Sequence, residues 1–196
     1  MSPELLRRLA AELAGEARDG LTVMEVCGTH TMAIARYGLR ELLPSRLRLV
    51  SGPGCPVCVT AMRDLDRVIA LARLPRVTMV TFGDLLRVPA SRSSLAAERA
   101  TGADVRVVYS PRDAVEMAAA EPGREVVFAG IGFETTAPTV AAALMEARQR
   151  GVGNFSVLSM HKTLPLPLRA LLDLDETPIS GFILPGHVSI VTGTAC

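Results

Sequence analysis

Short, largely apolar runs alternate along the chain with longer stretches in which apolar residues recur at helical spacing. The runs fall at residues 21–26, 47–50, 77–82, 105–109, 126–131, 155–159 and 182–184. Each has the length and content of a buried strand. Between them, residues 31–43, 60–73, 94–100, 110–120, 136–150 and 167–174 read as helices, with Leu65, Ile69 and Ala72 marking one apolar face. At the amino end, Ser2 is placed to cap a helix with Pro3 at its first position, running to about Arg18 and stopping before Gly20. Apolar strands alternating with helices predict an α/β fold whose parallel strands are covered on both faces. Seven strands could form one sheet or two. The turn Thr101-Gly102-Ala103 follows a long polar loop, so the expected division is an N-terminal helix over 1–20, a first α/β domain over 21–100 and a second over 101–196.

Composition narrows the function classes. The chain has 196 residues, 49% of them hydrophobic, which excludes a disordered segment. Charge is balanced, 21 Lys+Arg against 20 Asp+Glu, so no global field exists to hold nucleic acid or an anionic membrane. No apolar run approaches the ~20 residues of a membrane span, and the start is an amphipathic helix, not a signal peptide. The expected location is the cytoplasm. Basic charge is almost all arginine: Lys162 is the single lysine.

The rare residues are concentrated just past strand ends. Cys27-Gly28-Thr29-His30 follows the first strand, and Gly52-Pro53-Gly54-Cys55-Pro56-Val57-Cys58 the second. Gly83-Asp84 follows the third, Gly132-Phe133-Glu134-Thr135-Thr136 the fifth, Met160-His161-Lys162 the sixth and Pro185-Gly186-His187 the last. All three histidines, the lysine and three of four cysteines therefore lie at the strands' carboxyl ends, the edge where open α/β sheets bind ligands. Loop polarity alone would bring Asp, Asn, Ser and Gly instead.

Cys55-x-x-Cys58 suits a redox dithiol if it opens the helix expected from residue 60, because a helix N-terminus activates a thiol. Cys27-x-x-His30 has the same spacing, and the four residues together have the composition of a Cys₃His zinc site. The spacing leaves both readings open. Gly130-x-Gly132 lacks the third glycine of a dinucleotide fingerprint, with Thr135 in its place. Thr135-Thr136 could either cap a helix or offer hydroxyls and N–H groups to an anion. Cys196 has no local pattern.

Taken together and in this order, Glu25-Val26-Cys27-Gly28-Thr29-His30-Thr31, Gly52 to Cys58, Thr81-Phe82-Gly83-Asp84, Arg87-Val88-Pro89, Gly132 to Pro138, His161-Lys162 and Pro185-Gly186-His187-Val188-Ser189 resemble the HypD family of [NiFe]-hydrogenase maturation proteins. The resemblance implies two similar α/β domains facing a cleft. It implies a scaffold for assembling an Fe(CN)₂CO group, with a HypC-type small chaperone sharing the iron and a HypE-type protein delivering cyanide made from carbamoyl phosphate. By the same resemblance Cys27 is the iron ligand, with His30 beside it to orient or assist it, and Cys55 and Cys58 are an electron-supplying thiol pair. Thr29, Asp84, Glu134, Thr135, His161, Lys162 and His187 then line the site that holds the iron group. Whether such a scaffold is itself an enzyme is left open. Family members are considerably longer and carry a carboxyl-terminal [4Fe–4S] region. Only one cysteine follows Cys58, so the ligands of that cluster are absent here, and the chain is expected to be the N-terminal part of a longer protein with its second domain incomplete. Two other functions remain compatible with the residues: a thiol-disulfide oxidoreductase using Cys55 and Cys58, and a zinc-stabilised α/β binding module.

Overall fold

The computed structural model describes residues 2–16, 18–174 and 178–193. In chain order the elements are α1 (Pro3–Glu16), β1 (Leu21–Glu25), α2 (Gly28–Arg36), α3 (Leu39–Leu42), β2 (Leu47–Ser51), α4 (Met62–Ala72), β3 (Val77–Thr81), α5 (Leu95–Ala100), β4 (Val105–Val107), α6 (Pro111–Ala120), β5 (Glu125–Gly130), α7 (Ala137–Gln149), β6 (Phe155–Ser159), α8 (Pro165–Leu172), β7 (Gly181–Ile183) and α9 (Gly186–Thr192). They form two parallel sheets, ordered β2-β1-β7 and β4-β3-β5-β6. The α/β class with two small parallel-sheet domains is as the apolar runs imply. Cys196 lies outside the described residues.

The chain divides into two units, Met1–Cys55 with Leu164–Cys196, and Pro56–Thr163. This departs from a boundary near residue 101. β3 lies before that point yet pairs with β4 and β5, and β7 lies after it yet pairs with β1. The turn that suggested a boundary is a helix ending. Gly102 takes φ +106° just after α5, and the N–H groups of Thr101 and Gly102 close onto carbonyls of that helix. A glycine there is what a helix stop requires.

The unit built on β3 has a full core. Every residue of β3 is buried. One sheet face packs Val77, Met79, Val127 and Ala129 against Leu65, Val68 and Ile69 of α4 and Leu95 of α5. The other packs Val126 and Phe128 against Ala114, Val115 and Ala118 of α6 and Val140 and Ala143 of α7. Local signals agree with the elements. Ser94 caps α5 through Ala97 N–H. Ser110 accepts from Arg112 N–H, and Asp113 accepts from Ser110 N–H at the start of α6.

The unit built on β1 is thinner. Its buried apolar residues include Met24, Val26, Ile34, Leu164 and Val188, and no residue of α3 or α8 is buried. Two helices differ from expectation here. The stretch 31–43 is not one helix, because Gly38 at φ +59° separates α2 from α3. α9 forms where a loop was expected, since Pro185 and Gly186 read as turn residues but serve as N-cap and first turn.

Candidate functional site

Within the first unit, three motif-bearing loops leave adjacent strands. β1 is the central strand, so Cys27 at its carboxyl end is flanked by the loop after β2 and by the turn after β7. Backbone hydrogen bonds fasten this arrangement. Gly52 N donates to Glu25 O at 2.7 Å, Gly28 N to Gly54 O at 3.1 Å and Val26 N to Ile183 O at 3.2 Å. The close approach of the Gly-Pro-Gly loop demands glycine. A Cβ on Gly54 would fall 2.3 Å from Cys27 N and 2.5 Å from the Val26 carbonyl carbon. Cys55 follows directly, and a Cβ on Gly28 would sit 4.0 Å from Cys55 Cβ, an ordinary contact.

Cys27 is buried and occupies the N-cap position of α2 with extended backbone, φ −152° and ψ 124°. Its side chain makes no cap hydrogen bond. Beside it lies Glu25, a fully buried carboxylate. Glu25 Oε1 accepts from Thr31 Oγ1 at 2.6 Å, and Oε2 accepts from Cys27 N–H at 3.2 Å. Burial pushes the Glu25 carboxyl up, but hydrogen bonds from Thr31, Ser51 and the Cys27 N–H, together with the charge of His30, outweigh it and hold the group below the usual range. Thr29 is exposed on the first turn of α2, and the Nδ1 of His30 is buried with no hydrogen-bond partner. His187 is exposed on the first turn of α9.

Within the second unit, Asp84, Glu134, Thr135, His161 and Lys162 also leave adjacent strands, β3, β5 and β6. Asp84 is exposed. The loops after β5 and β6 are tied together: Met160 N donates to Gly130 O at 2.7 Å and Lys162 N to Gly132 O at 2.9 Å. His161 packs over Gly130, where an added Cβ would lie 3.0 Å from its Cε1. Its Nδ1 is 2.9 Å from Ser159 Oγ, and its Nε2 is buried and unpartnered. Burial first, then the Lys162 charge, pushes the His161 pKa below the ordinary histidine range, favouring the neutral ring. Gly132 is needed for Thr136, whose Cβ would be 2.4 Å from an added Cβ. The space that Gly130 and Gly132 open is thus filled by His161 and Thr136. A pyrophosphate cradle, which needs that space empty, is not formed there.

Cys58 belongs to the second unit and is exposed, while Cys55 is half-buried in the first. The expected helix start at the dithiol is not observed. Residues 56–59 form a turn, closed by Thr60 N–H on Val57 O, and α4 begins only at Met62 with Ala61 as N-cap. Activation by a helix N-terminus is therefore not available to Cys55 or Cys58. Among the described residues no group of three or more His, Cys, Asp or Glu converges as metal ligands would. The closed Cys₃His set of the zinc alternative is therefore not found among the described residues. No helix of the described residues is long and apolar enough to cross a membrane.

The comparison with known proteins follows the same segments. The family model described as HypD, Hydrogenase formation hypA family, matches residues 4–196. This chain belongs to the HypD family. It is 50% identical over 188 residues to the hydrogenase maturation factor HypD of Rhodobacter capsulatus, covering 96% of this chain and 50% of the relative. It is 49% identical over 191 residues to the factor of the same name from Escherichia coli, covering 97% and 51%. A putative hydrogenase expression/formation protein of Methanocaldococcus jannaschii is 45% identical over 178 residues, covering 91% and 49%. The chain spans about half the length of the curated relatives it matches.

Two features of the site were not assigned from sequence. Glu25 was visible as a charge inside an apolar run, the signal that marks a buried carboxylate with a task. Gly54 looked like loop punctuation, and only the strand pairing reveals that it forms the floor under Cys27.

Proposed function

We propose that this chain acts in [NiFe]-hydrogenase maturation, presenting Cys27 as the thiolate anchor for an Fe(CN)₂CO group while that group is assembled. The iron is cargo, shared with a HypC-type small chaperone and supplied with cyanide by a HypE-type donor. One observation carries the reading: the setting of Cys27 in a member of the HypD family. It is a buried thiol at the end of the central strand, on a turn whose backbone is fastened from both neighbouring strands. Low-spin iron with cyanide and CO ligands favours a soft thiolate, and an iron that must still accept ligands favours one fixed protein ligand over a closed cage.

Cys55 and Cys58 act as the dithiol of the process. The pair can pass between dithiol and disulfide, the two-electron couple that an electron-supplying role needs. His30 on α2 orients or assists Cys27. Thr29, Asp84, Glu134, Thr135, His161, Lys162 and His187 supply hydrogen-bonding groups to the iron group's cyanide nitrogens or to a partner. His161 suits this role because its Nε2 is buried without a protein partner.

The test is co-expression with a HypC-type partner and the cyanide-making proteins, anaerobic purification and an infrared spectrum of the cyanide and CO stretching region. Bands present in the parent and absent in Cys27→Ala are expected. Bands that persist in Cys27→Ala overturn the assignment of the anchor. Turnover of a small disulfide substrate that needs Cys55 and Cys58 but not Cys27, with no bands in the parent, replaces it with the oxidoreductase reading.

A further inference from the structure

Glu25 is the most deeply buried charged side chain near Cys27, and the chemistry above gives it no role. It is the last residue of the central strand. Its main-chain carbonyl takes the Gly52 N–H, and its carboxylate spans the turn, one oxygen on Thr31 and the other on the Cys27 N–H. Thr31 also approaches Cys27 O at 3.4 Å, so both peptide groups of Cys27 are engaged by this pair. A salt bridge to a cation would be the ordinary reason to bury a carboxylate, and no Lys or Arg salt bridge to Glu25 occurs among the described residues. A simple helix cap could be made by Ser, Thr or Asp at the N-cap itself. Here that position is taken by Cys27, whose side chain makes no cap hydrogen bond, and the carboxylate two residues back holds the N-cap residue's own N–H instead.

We propose that Glu25, acting through Thr31, is a positioning residue for the metal-binding thiol of Cys27. The carboxylate holds the Cys27 N–H and, through the Thr31 hydroxyl, the start of α2. It thereby fixes the turn that aims the sulfur without using the sulfur itself. This rests on the reading of Cys27 as the iron anchor. The arrangement parallels the way outer-shell carboxylates orient metal-binding side chains elsewhere, where their loss costs about 10- to 100-fold in metal affinity.

The test uses cobalt(II) as a stand-in for ferrous ion, added anaerobically to the chain carrying Cys55→Ser, Cys58→Ser and Cys196→Ser so that the thiolate-to-cobalt charge-transfer band reports Cys27, the one remaining cysteine. Thr31→Val removes the hydroxyl at nearly constant volume, Thr31→Ser keeps it, and Glu25→Ala removes the carboxylate. Affinities are read well below each variant's melting temperature, where a purely structural role would leave binding by the folded protein unchanged. The expected result is about a tenfold or greater weakening in Thr31→Val and Glu25→Ala, with Thr31→Ser close to the parent. Parental affinity in Thr31→Val overturns the proposal, and so does a loss in Thr31→Ser equal to that in Thr31→Val. Should Glu25→Ala fail to fold, the Thr31 pair decides alone. A band that survives Cys27→Ala, or no band in the parent, removes the anchor reading and this inference with it. A band that depends on Cys27 but is indifferent to Thr31 removes this inference only.

Discussion

Gly54→Ala is expected to be among the most damaging single-methyl additions in the chain. The added Cβ would lie 2.3 Å from Cys27 N, 2.5 Å from the Val26 carbonyl carbon and 2.7 Å from Cys27 Cα. Favourable heavy-atom contacts sit near 3.5–4.0 Å, so the loop must retreat by roughly 1 Å. The obstructing atoms are backbone, which cannot rotate away as a side chain can. Retreat stretches two backbone hydrogen bonds, Gly28 N to Gly54 O and Gly52 N to Glu25 O. Those are worth about 1 kcal/mol each, and overpacking adds about 1–3 kcal/mol, giving about 3–5 kcal/mol in all. Against a typical domain stability of about 5–15 kcal/mol this is a large fraction. Because the chain forms two units, a single melting curve is a poor assay. Amide hydrogen exchange read by mass spectrometry resolves them. Peptides covering β1 and β2 are expected to lose protection in Gly54→Ala, with β3 and β5 as the internal reference. Gly153→Ala is the control, since an added Cβ there meets nothing within 4 Å and its φ is not positive; a change within about 0.5 kcal/mol is expected. Protection of β1 within 1 kcal/mol of the parent in Gly54→Ala would refute the claim that this loop is the floor of the Cys27 turn.

Three further outcomes are expected. The Glu98 carboxyl, buried and doubly hydrogen-bonded by Arg73 at 2.8 and 2.7 Å, is held down to about 2 from an ordinary 4.5. Its folded-state pKa lies below the unfolded one, so its contribution is complete above about pH 4.5 and fades as pH falls towards 2. Because Arg73 is 57% exposed, the contribution is nearer 1–2 kcal/mol than the full shift implies, and urea titrations should show Glu98→Gln destabilised at pH 7 but converging on the parent near pH 2. Equal destabilisation at both ends of that range contradicts it. Thr81→Val should be neutral or stabilising by up to about 1 kcal/mol, since the Thr81 hydroxyl is fully buried without a partner; calorimetry showing a clear loss would mean the hydroxyl is satisfied. Asn154→Ala should cost about 2–3 kcal/mol in denaturant melts, because its Nδ2 ties together the carbonyls of Ala118, Glu121 and Arg124 at 2.8–3.1 Å. A cost under 0.5 kcal/mol would show that water replaces it.

The elements were largely legible because their signals are local. Apolar run length marked all seven strands, and Ser2 and Pro3 marked the first helix. The crowding of unusual residues at strand carboxyl ends was legible too, because a parallel sheet sends every such loop to one edge. The partition into units was not. It depends on which strands pair, and the pairing of β1 with β7 sets Val23 beside Gly181, residues 158 apart in sequence. No turn or composition shift encodes that pairing. A helix-stopping glycine at 102 therefore passed for a boundary, while the true crossings fall at Cys55 to Pro56 and Thr163 to Leu164, where nothing in the sequence changes character.

Spacing arithmetic misled in a more instructive way at the cysteines. Cys27-x-x-His30 and Cys55-x-x-Cys58 have the look of two metal half-sites, and such halves meet through their side chains. These two segments instead meet through their backbones. The Glu25 carbonyl takes the Gly52 N–H, the Gly54 carbonyl takes the Gly28 N–H, and the absent Cβ of Gly54 is what lets the chains approach. The glycines of one segment are therefore part of the other's geometry, and the intervening α2, α3 and β2 serve to bring them together. With the backbone fastened this way, the Cys27 side chain makes no cap hydrogen bond, and Glu25 holds the Cys27 N–H. A turn held by its backbone and a neighbouring carboxylate, and not by its thiol, is what the proposed transient anchor requires and a structural zinc site does not.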